Sequence, residues 1–394
     1  MVQRTEYIDK LRKLRDQKVI KVITGVRRCG KSTLLQMYRD ELLADGVSAD
    51  CCIAINFEDI SFEQLREYHK LYEYVQEHLV EGKMNYVFLD EIQCVPEFQR
   101  AVDSLFLRDN VDLYLTGSNA YMLSGELATL LSGRYIEISM LPLSFREYYE
   151  LVGGDKKTTF RNYFSRGGFP YAASIEDTWV RNEYLRGIYN TVLLKDIVER
   201  KRISDVPLLE SVIRFLFDNV GSIVSAKKIA DSLTSDGRKT TAVTVDSYIQ
   251  ALKDAFILYE VNRYDVKGRQ HLKSLEKYYI VDSGLRTMLL GDRIRDFGHV
   301  LENIVYLELN RRGYRVSIGK VGNLEVDFIA EKNGQKIYYQ VAASILDPAT
   351  YEREFAPLKA IRDSFPKYVL TLDEFPMGED GINQLNIIDF LLEE

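Results

Sequence analysis

Residues 20–35 read Ile20-Lys21-Val22-Ile23-Thr24-Gly25-Val26-Arg27-Arg28-Cys29-Gly30-Lys31-Ser32-Thr33-Leu34-Leu35. An apolar run ends at Gly25 and a helix-forming stretch begins at Lys31, so Gly25 to Ser32 reads as a loop between a buried strand and a helix. The pattern G-x-x-x-x-G-K-S has a chemical purpose. Glycines at 25 and 30 let the backbone fold tightly enough for consecutive N–H groups to surround phosphate oxygens, and the helix start adds the positive end of its dipole. Lys31 is expected to reach the β- and γ-phosphates of ATP, and the Ser32 hydroxyl to ligate Mg²⁺. Gly25, Arg28, Cys29, Gly30, Lys31, Ser32 and Thr33 form the predicted nucleotide-lining set, with the Arg27 and Arg28 side chains read as solvent-facing.

Tyr86-Val87-Phe88-Leu89-Asp90-Glu91 is an apolar strand ending in two adjacent carboxylates. Asp90 is placed to hold Mg²⁺ through water, and Glu91 to orient and deprotonate the attacking water. Alone, such a pair is an ordinary solvated strand end; beside the glycine loop it completes a hydrolytic set. Asp112-Leu113-Tyr114-Leu115-Thr116 then runs into Gly117-Ser118-Asn119. Ligands of open parallel sheets lie beyond the carboxyl ends of strands, which makes Asn119 a candidate sensor of γ-phosphate or water, with helix capping as its competing role. Arg134, before another strand, and Arg166, in Arg166-Gly167-Gly168-Phe169-Pro170, are candidate sources of positive charge for the transition state. Each is assigned to the chain's own lid or a neighbouring subunit, and surface ion pairing is the plainer role for both.

Outward from the loop, Lys18 to about Ile138 alternates short apolar runs with helical patterns, which predicts an α/β fold with a parallel sheet covered on both faces. The chain divides into a phosphate-binding core at 1–141, an aromatic-rich helical lid at 142–204, a winged-helix pattern at 205–290 and an α/β unit at 291–394. In the last, Asn333-Gly334 between two alternating runs marks a tight hairpin. With 46% hydrophobic and 28% charged residues, the chain is expected to fold throughout. No apolar h-region follows Met1 and no run of roughly 18 apolar residues occurs, so a soluble, cytoplasmic protein without a membrane partner is expected. Cys29, Cys51, Cys52 and Cys94 make no C-x-x-C pair, which speaks against a disulfide framework or a zinc site. The net charge of −7 argues against a surface that traps nucleic acid as a whole.

Taken together, TGVRRCGKSTLL, LDEIQ, LTGSN, SGRY followed by LPLSFREY, and RGGFP resemble a bacterial and archaeal AAA+-like P-loop ATPase family with a carboxy-terminal domain of unknown function. The resemblance spans nearly the whole chain. It implies a P-loop NTPase core that hydrolyses ATP, a winged-helix domain and a terminal domain with a restriction-endonuclease-like fold, and it implies no particular substrate.

A winged helix invites DNA binding, with the helix around Ala242 to Phe256 in the major groove. Residues 205–285, however, carry eleven Lys plus Arg against eleven Asp plus Glu. Lys227, Lys228, Arg238, Lys239, Lys267 and Arg269 can still share a face, so DNA contact and packing within the protein stand as equal readings. In the terminal domain, Glu302 and Asp327 resemble nuclease carboxylates, but Gln340 stands where a second strand acid is needed and Ala342 where a lysine is needed. The expected function is Mg²⁺-dependent ATP hydrolysis driving a switch or motor, with DNA, an unidentified protein and further copies of the chain as candidate partners. An ATP-gated, metal-dependent nuclease and a nucleotide-binding scaffold without turnover are the alternatives.

Overall fold

A computed structural model describes residues 2–117, 131, 133–199, 201–266, 268, 270–271, 276–291 and 297–393. The chain forms two compact units, Met1–Met140 and Leu141–Glu394.

In the first unit, helix α1 (Thr5–Leu14) precedes β1 (Ile20–Thr24), α2 (Lys31–Ala44), β2 (Cys52–Asn56), α3 (Tyr68–Glu77), β3 (Asn85–Asp90), α4 (Phe98–Phe106), β4 (Val111–Gly117) and β5 (Tyr135–Ser139). The strands form one parallel sheet in the order β2-β3-β4-β1-β5. Every residue of β1, β3 and β4 is buried, which is why these segments are almost continuously apolar. Two charged residues in them pair with each other: Lys21 bonds Asp112, whose other oxygen accepts from the Tyr114 hydroxyl at 2.7 Å and the Asp16 amide at 3.0 Å. Register places Thr24 opposite Gly117 and Leu89 opposite Leu115. The carboxyl ends of β1, β3 and β4 therefore lie side by side. Between β2 and β3 the helical pattern becomes a 3-10 segment at Ile60–Leu65 and then α3.

The second unit opens with α5 (Phe145–Val152), α6 (Lys156–Arg166), α7 (Pro170–Ala173) and α8 (Thr178–Thr191), the last running on as a π-helix at Val192–Glu199. Three helices follow, α9 (Val206–Asp218), α10 (Ala226–Ser235) and α11 (Ala242–Asp254). With them come β6 (Ile223–Val224), β7 (Leu258–Val261), β8 (Arg263–Asp265), β9 (Gln270–His271) and β10 (Glu276–Ile280). Strands β6, β10 and β7 make a small antiparallel sheet. Helices α12 (Ser283–Leu290) and α13 (Phe297–Arg311) lead to β11 (Arg315–Val321), β12 (Leu324–Lys332) and β13 (Gln335–Val341). Then come α14 (Pro348–Lys359), β14 (Lys367–Thr371), β15 (Gly378–Glu379), β16 (Ile382–Asn386) and α15 (Ile387–Leu392). The Asn333-Gly334 turn joins β12 to β13 with φ of 51° and 78°, the paired positive values that suit this dipeptide.

The wing of the winged-helix pattern, where the sequence pairs strands at 257–266 and 276–281 with each other, is more divided in the structure. β8 leaves the small sheet and pairs in parallel with β11, so β8 and β9 extend the terminal sheet to eight strands, β15-β16-β14-β13-β12-β11-β8-β9. A second link involves Asp282, whose carboxylate accepts from the Gly168 amide at 2.6 Å and the Leu285 amide at 2.9 Å. A Cβ on Gly167 would lie 2.2 Å from that carboxylate, and one on Gly284 2.1 Å from the Arg166 carbonyl oxygen. The Arg166-Gly167-Gly168 element is thus a backbone cradle for a buried aspartate.

Candidate nucleotide site

The loop after β1 adopts a conformation that ordinary residues resist. φ is positive at Gly25 (145°), Arg28 (65°) and Gly30 (108°), and a Cβ on Gly25 would sit 2.2 Å from the Met140 carbonyl oxygen. Helix α2 begins on Gly30, with no side chain capping its first amides. By contrast, α5, α6, α9, α11 and α14 are capped by Ser144, Asp155, Asp205, Thr241 and Asp347. The leading N–H groups of α2, which have no carbonyl four residues back, are therefore left for an anion.

Lys31 is buried, and its ammonium donates to the carbonyls of Gly25 at 3.0 Å and Val26 at 3.2 Å. Ser32 and Thr33, the next residues of α2, are exposed, as is Arg28. Arg4, buried just ahead of α1, donates from Nη1 to the Cys29 carbonyl at 3.1 Å. In a planar trans peptide the C=O and the following N–H point in opposite directions. By holding the Cys29 carbonyl on its own side, Arg4 aims the Gly30 amide away from itself.

Asp90 and Glu91 are both buried at the end of β3. The Thr116 hydroxyl, at the end of β4, donates to Asp90 Oδ1 at 2.5 Å and accepts the Glu91 amide at 2.9 Å. Ser32, at the start of α2, is near enough to Asp90 to draw its carboxyl pKa down. Burial raises the Asp90 pKa above the usual carboxylate range, while Thr116, Ser32 and the Lys31 charge pull the other way. Glu91 is held at φ 55°, ψ 47°, a left-handed conformation that costs a non-glycine residue about 1 kcal/mol or more. The Gln93 side-chain amide donates to Glu91 Oε2. Lys31, Ser32, Asp90 and Glu91, predicted from separate motifs, therefore meet in one place. Sequence reasoning missed Thr116 and Arg4; the one available signal for Thr116 was a hydroxyl ending a strand otherwise read as apolar.

Residues 17–149 match the model of an AAA domain, and residues 157–295 that of a domain of unknown function. An uncharacterized protein of Haemophilus influenzae is 39% identical over 400 residues, spanning 100% of this chain and 99% of that protein. The chain belongs to the AAA+-like P-loop ATPase family. An uncharacterized protein of Methanocaldococcus jannaschii is 30% identical over 369 residues, 87% of this chain and 79% of its own length. The Walker-type ATPase PABY2304 of Pyrococcus abyssi aligns with a TM-score of 0.51 at 17% identity, covering 73% of this chain and 96% of that one. That likeness is one of fold.

Not every predicted residue of this P-loop protein joins the site. Asn119 lies outside the described residues. Arg134 precedes β5, whose first residue, Tyr135, is in register with Ile20 at the start of β1. The loop leaves the other end of β1, about 13 Å along the strand from Ile20 at 3.3 Å per residue. The Arg134 guanidinium faces Asp103 at 4.0 Å and the Phe106 ring at 5.7 Å. Arg134 thus stands away from its own chain's loop, in the surface ion pair that is its plainer role. Arg166 belongs to the second unit, its side chain beside Tyr148 and Arg181.

Around β12 and β13 the residues read as nuclease-like do converge. Gln340 accepts the Asp327 amide at 2.7 Å and donates to Glu354 at 2.9 Å, and Ala342 presents only a buried methyl. Among the described residues no group of three His, Cys, Asp or Glu is spaced to hold a metal ion. Among the same residues no helix is long and apolar enough to cross a membrane.

Proposed function

We propose that this chain is a Mg²⁺-dependent ATPase that works as a nucleotide-driven switch or motor, with its second unit as the output element. The observation that carries the reading is the meeting of Asp90 and Glu91 at the Thr116 hydroxyl, with Lys31 and Ser32 of the glycine-capped helix α2 acting on Asp90. The amides of Gly30 to Thr33 bind the phosphates, and Lys31 turns from the loop carbonyls toward the β- and γ-oxygens. Ser32 and Asp90 hold Mg²⁺, which when bound neutralises charge on the phosphate oxygens. Glu91, fixed by its amide, accepts the proton of the attacking water.

The domain reading that accompanies this is a P-loop core at 1–141, a lid at 142–204, a winged helix at 205–290 and a restriction-endonuclease-like domain at 291–394. Arg134, far from its own loop, supports an assembly in which neighbouring copies complete each other's sites. DNA contact through α11 has less support, because its exposed face carries Val243, Asp246, Ser247 and Gln250 and no basic residue. A protein surface is the better fit, and the four free cysteines suit a reducing cytoplasm.

Titration of the purified protein with a fluorescent ATP analogue tests the binding half. Lys31→Ala is expected to lower affinity at least about tenfold, a loss of 1.4 kcal/mol or more. Unaltered affinity would remove the reading. Tight retention of ATP by the native chain with no phosphate release would favour a non-hydrolysing scaffold instead.

A further inference from the structure

The carboxylates of the terminal domain are gathered around a cation that the chain itself supplies. Lys277, on β10 of the small sheet, is buried, and its Nζ lies 2.8 Å from Glu325 Oε1, 3.3 Å from Glu302 Oε2 and 4.0 Å from Asp327 Oδ1. These acids come from two elements of the terminal domain, α13 for Glu302 and β12 for Glu325 and Asp327. Two residues along β10, on the same face, Tyr279 donates its hydroxyl to Glu302 Oε2 at 3.3 Å. Above Glu302 the backbone of Gly221 closes in: a Cβ there would be 3.1 Å from Glu302 Oε2 and 3.2 Å from His299 Nδ1. Asp327 is tied down by the Val341 amide at 2.9 Å.

We propose that Lys277 is the resident cation of this cluster, and that its ammonium welds the β10 sheet to the terminal domain. Carboxylates brought this close repel one another unless a positive charge stands between them. Burial and the Glu302 charge indeed drive the Asp327 pKa well up, and the Lys277 charge opposes them. An ammonium satisfies oxygens at hydrogen-bonding distance, whereas Mg²⁺ needs them near 2.1 Å, so Lys277 holds the acids too far apart for a metal shell. With β8 paired to β11, the weld fastens residues 205–290 to the terminal domain at two points. The terminal domain is then a joint and not a cutting site.

The test uses the full chain without nucleotide. Lys277→Met leaves the acids without their cation, and its melting temperature is expected to fall by about 5 to 10 °C. Millimolar Mn²⁺ should restore part of that loss, and the rescue should vanish in the Lys277→Met, Asp327→Asn double variant. Aggregation of Lys277→Met in metal-free buffer would count as the same loss. An independent count of bound Mn²⁺ by electron paramagnetic resonance on the native chain and on Asp327→Asn should give equal numbers. One more ion on the native chain than on Asp327→Asn, or a Lys277→Met chain as stable as the native one, would overturn the proposal.

Discussion

The Thr116 hydroxyl donates to Asp90 and, from the same oxygen, accepts the backbone amide of Glu91. One uncharged side chain thus orients a candidate metal carboxylate and fixes the strained backbone of the candidate general base. Thr116→Val keeps the shape and removes both links. Leaving buried polar groups unpaired should cost about 1 to 3 kcal/mol in a urea melt. Phosphate release should fall at least about tenfold while nucleotide affinity changes far less, because Lys31 and the loop amides are untouched. Turnover at the native rate would show that Thr116 has no part in aligning the acids.

Arg4 supplies the corresponding support for the loop. Arg4→Ala releases the Cys29 carbonyl and with it the aim of the Gly30 amide. A titration with an ATP analogue should show affinity lowered by roughly 5- to 30-fold, the worth of one charge-assisted hydrogen bond or somewhat less. Arg4→Lys should recover part of it. If both variants bind as the native chain does, the contact is mere packing.

Glycine 284 offers a test of the cradle around Asp282. A methyl there meets the Arg166 carbonyl oxygen at 2.1 Å and its carbon at 2.5 Å, and backbone cannot swing aside as a side chain can. Gly284→Ala should lower stability by about 1 to 3 kcal/mol. As control, Gly298→Ala in α13, with nothing within 4 Å, should be neutral or slightly stabilising through helix propensity. Equal melting temperatures for the two variants would contradict the cradle.

What could be read from the sequence, and what could not, follows from distance along the chain. The loop from Gly25 to Ser32 is contiguous, and its strand and helix flank it directly. Asp90 and Glu91 gain meaning only from a strand next to them, which the apolar run from Tyr86 provides. Thr116 and Asp90 are 26 residues apart and Arg4 and Cys29 25, and neither pair leaves any periodic trace. β8 has three residues, too few to show the two-residue alternation that would have assigned it to the terminal sheet. Lys277 reads as one more charge near a hairpin until β12 and α13 are folded against it.

Asp282 gives the second unit a distinct pH dependence. Burial pushes its pKa up to about 6 from the usual 3.8. Between those values the folded chain keeps a proton that the unfolded chain has lost. Stability from this group is therefore full at the acid end of the window, falls as pH rises through it, and is level above about pH 6. The change amounts to about 3 kcal/mol for about two pH units. Asp282→Asn, which does not titrate, should lack this component, so the stability gap between native and variant chains should narrow from pH 4 to 6.5. A gap that stays constant would place the Asp282 pKa in the ordinary range.

Glu91 is proposed to activate water at a phosphate held by the loop and Mg²⁺. That role is tested most directly by following phosphate release from ATP by the native chain and by Glu91→Gln, with Mg²⁺ and with chelator. Release by the native chain is expected only with Mg²⁺, with a fall of at least about 100-fold in Glu91→Gln and ATP binding retained. Equal release by both chains, or native release that persists in chelator, would contradict that role.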